Sequence, residues 1–306
     1  MKISIITSDN GVGLKTDANL LFDLLKSINS DVDIHYFNNS EFQKTESGDV
    51  GVWIQNFIVE MLPNFKKNIF FINEEWAGEN ELSNLKLFDV VVCKSKHAKK
   101  LLSPYSNNIE QFYFISNDMY ASSESCSKTK FLHFPGRSIQ KNTELVLDCL
   151  EQENLTLIDS YDRYDGNISN HITSYLPKEQ LQSILMSNDV HLCPSLYESW
   201  GHYLFESLST GQEIICSKIP VFEEVLDPDL VHFLEVDKRE DVAYEYCREL
   251  NKFPLREAYF VNRSEFDNKI HECFPRDIIL ENSRRKFFSH LMAENKNKLI
   301  KFFKNI

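Results

Sequence analysis

The sequence predicts an α/β protein made of two doubly wound, parallel-sheet domains in tandem. Short β-rich runs alternate with helical stretches nearly from end to end, the pattern of a parallel sheet covered by helices. A polar stretch at 116–130, Ser-rich over 121–127, breaks the rhythm, after which the alternation restarts. The chain's 306 residues, 42% of them apolar, are enough for two cores of ordinary size.

In the first half the strand candidates are 2–7, 33–37, 50–54, 68–73, 89–93 and 111–115. Between the first two, Leu20, Leu21, Leu24, Leu25 and Ile28 recur at helical spacing within 14–27. In the second half strands are expected at 131–134, 155–158, 190–193, 213–216 and 231–234, with helices at 143–150, 178–187 and 202–210. Helices then run to the end. The expected domains are residues 1–120 and 128–275, followed by a helical tail at 276–306. Ligands are expected where the carboxyl ends of the strands meet a cleft.

Composition removes several functions. A formal charge of −13 is a poor match to nucleic acid, whose binding depends on neutralising phosphates. The first residues read as a strand rather than a signal peptide, and no apolar run approaches a bilayer span. The 7 cysteines are scattered and form no C-x-x-C, so they read as small buried hydrophobes in a reducing compartment. The expectation is a soluble, cytoplasmic protein.

The most informative segment runs Leu192-Cys193-Pro194-Ser195-Leu196-Tyr197-Glu198-Ser199-Trp200-Gly201-His202-Tyr203-Leu204-Phe205-Glu206. An apolar strand ends at Pro194-Ser195, a short loop carries Glu198, and a helix begins near Gly201. The backbone N–H groups of Gly201, His202 and Tyr203 then stand at a helix N-terminus, suited to an anion or a hydroxyl. Helical side chains lean toward the N-terminus, which brings Glu206 over the turn holding His202 and Tyr203. Two carboxylates facing one cleft suit sugar diols, since each accepts two hydrogen bonds. Taken singly, Glu198 and Glu206 read as solvated surface residues.

Together they resemble something specific. Glu198 and Glu206 match the E-x7-E motif of retaining transferases of the GT-B type, and the surrounding pattern is close to glycosyltransferase family 4. The similarity continues through Gly211, the strand at 213–216, and Pro220 to Glu223-Glu224. The resemblance implies two facing Rossmann-like domains, with the tail crossing back to the first. It assigns Glu206 to the nucleotide ribose, Glu198 to the donor sugar, and Ser195 with the helix N-terminal amides to the donor's surroundings. Upstream, Gly136-Arg137-Ser138-Ile139-Gln140-Lys141-Asn142 follows the first strand of the second half. It looks like the family segment whose Arg and Lys grip the diphosphate, which gives Arg137 and Lys141 that role. Two fixed cations there would neutralise charge building on the leaving group. The stretch 171–176, with Tyr175, sits where the family holds the base, although Tyr175 also reads as core.

The first half resembles the family less. Asn10-Gly11-Val12-Gly13 follows the first strand as the family's Gly-rich loop does. Gly11 and Gly13 either approach a diphosphate or simply make a tight turn. Where many relatives carry His-Glu, this chain reads Asn73-Glu74-Glu75-Trp76, leaving Asn73 and Glu75 as weaker site candidates. Asp31-Val32-Asp33 has a metal-binding D-x-D form but stands at the start of a strand, the wrong end for a ligand. The 9 histidines form no metal-ligand spacing, and His97 reads as solvated.

The resemblance therefore implies a retaining, metal-independent hexosyltransferase. It would need no cofactor, with a nucleoside-diphosphate sugar as donor and a carbohydrate, lipid or protein hydroxyl as acceptor. Two alternatives stay open: a non-catalytic nucleotide-sugar binder, and another enzyme of this architecture such as an epimerase or inverting transferase. Over residues 282–306, Arg284, Arg285, Lys286, Lys296, Lys298, Lys301 and Lys304 face Glu294 alone, beside an incomplete apolar stripe. Such a helix either docks on the protein or lies peripherally on an anionic membrane.

Overall fold

The computed structural model describes residues 1–10, 13–37, 46–121, 131–136, 138–150, 154–159, 162, 164, 168, 170–238, 253–272, 274 and 277–306. The chain divides into two compact units. The first comprises Met1–Ile115, Ala243–Arg256 and Met292–Ile306, and the second Ser116–Val242 and Glu257–Leu291.

The first unit is built on β1 (Ile3–Thr7), β2 (Val32–Tyr36), β3 (Gly48–Ile54), β4 (Phe65–Phe71), β5 (Val90–Cys93) and β6 (Ile109–Gln111). They form one parallel sheet in the order β2-β1-β3-β4-β5-β6. Every residue of β1 is buried, as a strand covered on both faces requires. Helix α1 (Gly13–Lys26) turns Ala18, Leu21, Leu24 and Leu25 inward at helical spacing. Two shorter helices, α2 (Glu79–Asn84) and α3 (Lys96–Leu102), follow in the same unit.

Two strand boundaries differ from the sequence expectation by three residues or more. The 68–73 candidate begins earlier, at Phe65, because Lys66 turns outward to Asp49 at 2.7 Å while Asn68 takes the Trp53 indole at 2.9 Å. The 111–115 candidate ends at Gln111, and Phe114 beyond it is buried by packing on Phe71, with ring centroids 6.2 Å apart. Aromatic enrichment there reports burial rather than a ladder.

The second unit holds β7 (Phe131–His133), β8 (Leu155–Ile158), β9 (Asn170–Ile172), β10 (Val190–Cys193), β11 (Glu213–Ser217) and β12 (His232–Leu234). These are also parallel, in the order β12-β11-β10-β7-β8-β9. Strand β9 was not expected; it is a polar edge strand with no apolar run to mark it. The helices are α4 (Thr143–Cys149), α5 (Lys178–Met186), α6 (His202–Thr210), α7 (Pro220–Val225) and α8 (Arg263–Ile270). An antiparallel pair, β13 (Val236–Lys238) and β14 (Tyr259–Val261), flanks them. The core packs Phe131, Val146, Leu157, Leu192, Ile215, Leu234 and Phe266 together.

The tail is one helix, α9 (Ile278–Lys304), and the division between the units falls inside it, after Leu291. In its first part Arg284 is buried, donating to the Leu230 carbonyl at 2.7 Å and the Gly211 carbonyl at 3.2 Å. In its last part Leu299 and Phe303 are buried, and Phe303 stacks on Phe71 with centroids 6.3 Å apart. The apolar stripe is thus covered by protein.

Candidate active site

The strand order of the second unit fixes where a ligand belongs. From β7 the sheet grows one way through β8 and β9, and from its neighbour β10 the other way through β11 and β12. Between β7 and β10 the order reverses, and the loops leaving their carboxyl ends part to leave a crevice. Those loops are residues 134–142 and 194–201, the two segments the sequence singled out.

Their conformation brings the charged groups together. The first loop bends at Gly136 (φ 57°), ends in a 3-10 turn at Ile139–Lys141, and passes through left-handed Asn142 (φ 58°) into α4. The Leu196 amide donates to the Gln140 carbonyl at 2.8 Å, tying the loops directly. Lys141 forms an ion pair with Glu198, with both side chains nearly buried. The Lys141 ammonium also lies 3.8 Å from the centroid of the Tyr203 ring, a close cation–π contact. Ser195 completes the cluster: its hydroxyl donates to Glu198 at 2.8 Å and lies 2.6 Å from the Tyr203 phenol. Burial, with Cys193 and Glu198 nearby, holds that phenol well above its ordinary range.

Helix α6 supplies the rest. Gly201 is its N-cap at φ 86°, and a Cβ there would meet the Phe222 ring at 2.8 Å, so glycine is required twice over. The first-turn amides belong to His202, Tyr203 and Leu204, of which Leu204 donates to the Gly201 carbonyl at 3.0 Å. Glu206 lies one turn in and is 8% exposed. Burial pushes its carboxyl up, while His202, the hydrogen bond from Asn117, Lys178 and Lys141 act against that shift. The Asn117 amide donates to Glu206 at 3.0 Å. Lys141 therefore acts on both carboxylates of the E-x7-E pair. Ser116 shares a 2.9 Å hydrogen bond with His202 Nδ1 and accepts the Trp200 indole N–H at 2.9 Å, while Trp200 stacks on Phe205. So the residues leading into this unit are fixed along α6.

The model of the family described as glycosyl transferases group 1 matches residues 135–264, from the loop after β7 to α8. Residues 135–264 are thus similar to glycosyl transferases group 1. The matched stretch contains every charged group of the cluster described above. No curated protein matches the sequence. Among solved structures, Anabaena HepE in complex with UDP and glucose is 12% identical over 100% of both chains, with a TM-score of 0.73. Sucrose-phosphate synthase from Thermosynechococcus elongatus is 11% identical over 100% of this chain and 99% of that one, with a TM-score of 0.66. The UDP-forming α,α-trehalose-phosphate synthase from Burkholderia xenovorans, in complex with glucose-6-phosphate, is 8% identical over 99% of each chain, with a TM-score of 0.66. The fold is GT-B, with two Rossmann-like α/β domains.

Outside the group 1 cluster the site candidates fare differently. Arg137 and Gly11 lie outside the described residues. Gly13 opens α1 with nothing within 4 Å of where a Cβ would stand, so the turn does not require glycine there. Tyr175 follows β9 and is 83% exposed, which rules out the core reading. Asn73 and Glu75 belong to the first unit, at the carboxyl end of β4. The Asn73 amide donates to Gln55 Oε1 at 2.7 Å, and the carbonyl of buried Glu75 accepts from Arg256 at 2.9 Å. His97 is half-buried in the first turn of α3, and Asp31 and Asp33 are exposed around the start of β2.

Sequence reasoning missed several residues. In the first unit, buried Lys94 pairs with buried Asp17 at 2.6 Å across 77 positions, a separation no local pattern reveals. In the second, Asn117 and Ser116 lie in the polar stretch that reads as linker in sequence. His133 has no metal-ligand spacing to mark it; the signal available in sequence is a lone His ending an apolar strand just before the cationic loop. Among the described residues, no group of three or more His, Cys, Asp and Glu side chains could hold a metal, and no helix is long and apolar enough to cross a membrane.

Proposed function

We propose that the chain is a retaining, metal-independent glycosyltransferase that moves a hexose from a nucleoside-diphosphate sugar to an acceptor hydroxyl. The observation that carries this reading is the meeting of Lys141, Glu198, Glu206 and the α6 N-terminus at the reversal point of a group 1 domain. Glu206 holds the ribose diol and Glu198 a donor-sugar hydroxyl. Lys141, Arg137 and the first-turn amides of α6 stabilise the diphosphate as it leaves. The anomeric carbon's bond to the phosphate oxygen breaks, its bond to the acceptor oxygen forms on the same face, and the acceptor's proton passes to the departing phosphate. The products are a glycoside and a nucleoside diphosphate. The UDP and glucose bound by HepE support the donor class, and the acceptor is a carbohydrate, lipid or protein hydroxyl.

The test is donor turnover in EDTA, with the product anomer read by NMR. Retained configuration, turnover without added metal, and loss of donor affinity in Glu206→Ala are expected. An inverted product, or an absolute need for Mn²⁺ or Mg²⁺, overturns the mechanism; unchanged donor affinity in Glu206→Ala overturns the site.

A further inference from the structure

The geometry points to His133 as a positioning residue that sets Lys141 for the diphosphate by closing the neck of the loop that carries it. This rests on the reading of the cluster as a donor site. His133 is the last residue of β7, and Thr143 is the first of α4. Between them lies the whole cationic loop. The His133 side chain is fully buried, and its Nε2 lies 3.0 Å from the Thr143 hydroxyl, so one hydrogen bond joins the two ends of that loop. Its Nδ1 lies 2.9 Å from the carbonyl of Leu192 on β10, two residues before the second loop begins. A single imidazole thus links both strands at the reversal point to the helix that follows Lys141.

The hydrogen-bond network assigns the tautomer. A carbonyl can only accept, so Nδ1 carries the proton; Nε2 is then a lone pair that accepts from the Thr143 hydroxyl. Burial, with Lys141 adding to it, pushes the imidazole down to about 4, so it stays neutral and keeps this arrangement at ordinary pH. The backbone between the clamp and the ammonium leaves little slack. Thr143 is preceded by left-handed Asn142, and Lys141 by Gln140, whose carbonyl is held by the Leu196 amide. With both ends of the segment 140–143 pinned, the Lys141 side chain starts from a fixed backbone, as a preorganised charge must.

The role separates from simple scaffolding by ligand chemistry. The test uses Thr143→Val, nearly isosteric but without the hydroxyl, Thr143→Ser, which keeps it, Lys141→Ala, and the Thr143→Val/Lys141→Ala double variant. The full-length chain is titrated calorimetrically with UDP, GDP and ADP, and by ligand-observed NMR with the corresponding nucleosides. Thr143→Val should weaken the bound nucleoside diphosphate about five- to tenfold, the scale of one lost hydrogen bond. Nucleoside binding should be unchanged, and Thr143→Ser should restore diphosphate affinity. In the Lys141→Ala background Thr143→Val should have no further effect, since the clamp acts through that ammonium. Equal weakening of diphosphate and nucleoside, or a Thr143→Val effect that persists without Lys141, would assign His133 to scaffolding alone and overturn the inference. Failure of the wild type to bind any of the three diphosphates would instead overturn the proposed donor site and the inference with it.

Discussion

Replacing Gly201 by alanine separates two costs that this structure places on one residue. At φ 86° the backbone is in the left-handed region, which costs an L-residue about 1–2 kcal/mol. The new methyl would also stand 2.8 and 2.9 Å from two Phe222 ring atoms and 3.5 Å from Glu198 Cγ. Phe222 is fully buried and cannot swing away, so overpacking adds roughly 1–3 kcal/mol. The sum, about 2–5 kcal/mol, is a large share of an ordinary domain's stability and should lower the melting temperature by roughly 5–20 °C. Gly136→Ala is the control: its φ is also positive, at 57°, but a Cβ there meets nothing closer than 3.9 Å. It should carry only the backbone cost. Urea unfolding followed by circular dichroism gives both numbers. If Gly201→Ala costs no more than Gly136→Ala, the close contact with Phe222 does not constrain the α6 N-terminus and the argument for it fails.

Three further outcomes follow from the same geometry. Lys141→Ala strands the Glu198 carboxylate in a place where it is only 7% exposed, which should cost about 3–5 kcal/mol of stability. Lys141→Met with Glu198→Gln should recover most of that while turnover stays down about a hundredfold or more, with donor affinity falling less; equal losses in both would mean that the pair only holds the donor. The Glu206 carboxyl is held above its usual value of 4.5, so over that window the folded protein binds more protons than the unfolded chain, and stability falls as pH rises through it. Glu206→Gln should therefore gain stability over wild type at neutral pH and lose that advantage in acid; an advantage independent of pH would refute the charged-burial argument. The apolar stripe of α9 is covered, with Phe288, Leu299 and Phe303 buried, so the chain should not sediment with anionic liposomes. Salt-sensitive sedimentation lost on deleting the last turns of α9 would show that its exposed lysines bind membrane nonetheless.

The parts of the fold that were legible in sequence are those whose cause is local. Strands β8 and β10 and helix α6 fall where periodicity put them, because each is a buried apolar run bounded by turn residues. The Glu198–Glu206 spacing and the Lys141 loop were legible because they are short, contiguous, and positioned by one strand-to-helix turn each. What escaped was held by partners far away in the chain. Strand β9 is a strand because β8 offers it an edge, not because Asn170-His171-Ile172 demands one. Asn117 meets Glu206 across 89 positions, and His133 reaches Leu192 across 59. Each of those contacts satisfies a buried polar group, a requirement that exists only after the sheet has formed.

That division bears on how the site works. The residues assigned to the donor were found by pattern, but in the structure they are mutually satisfied: Lys141 is neutralised by Glu198, Glu198 is also held by Ser195, and Glu206 is held by Asn117. Under the proposed donor-site reading, a diphosphate approaching Lys141 would compete with Glu198 for the ammonium, and a ribose would share Glu206 with Asn117. The ammonium is drawn most strongly to a phosphate when negative charge is greatest, at the breaking of the sugar–phosphate bond, and least when the donor is intact. In the proposed donor site, giving up the Glu198 pair would cost the same for intact donor and departing diphosphate, so it would weaken both equally. The preference for the transition state would come from the charge that grows on the phosphate.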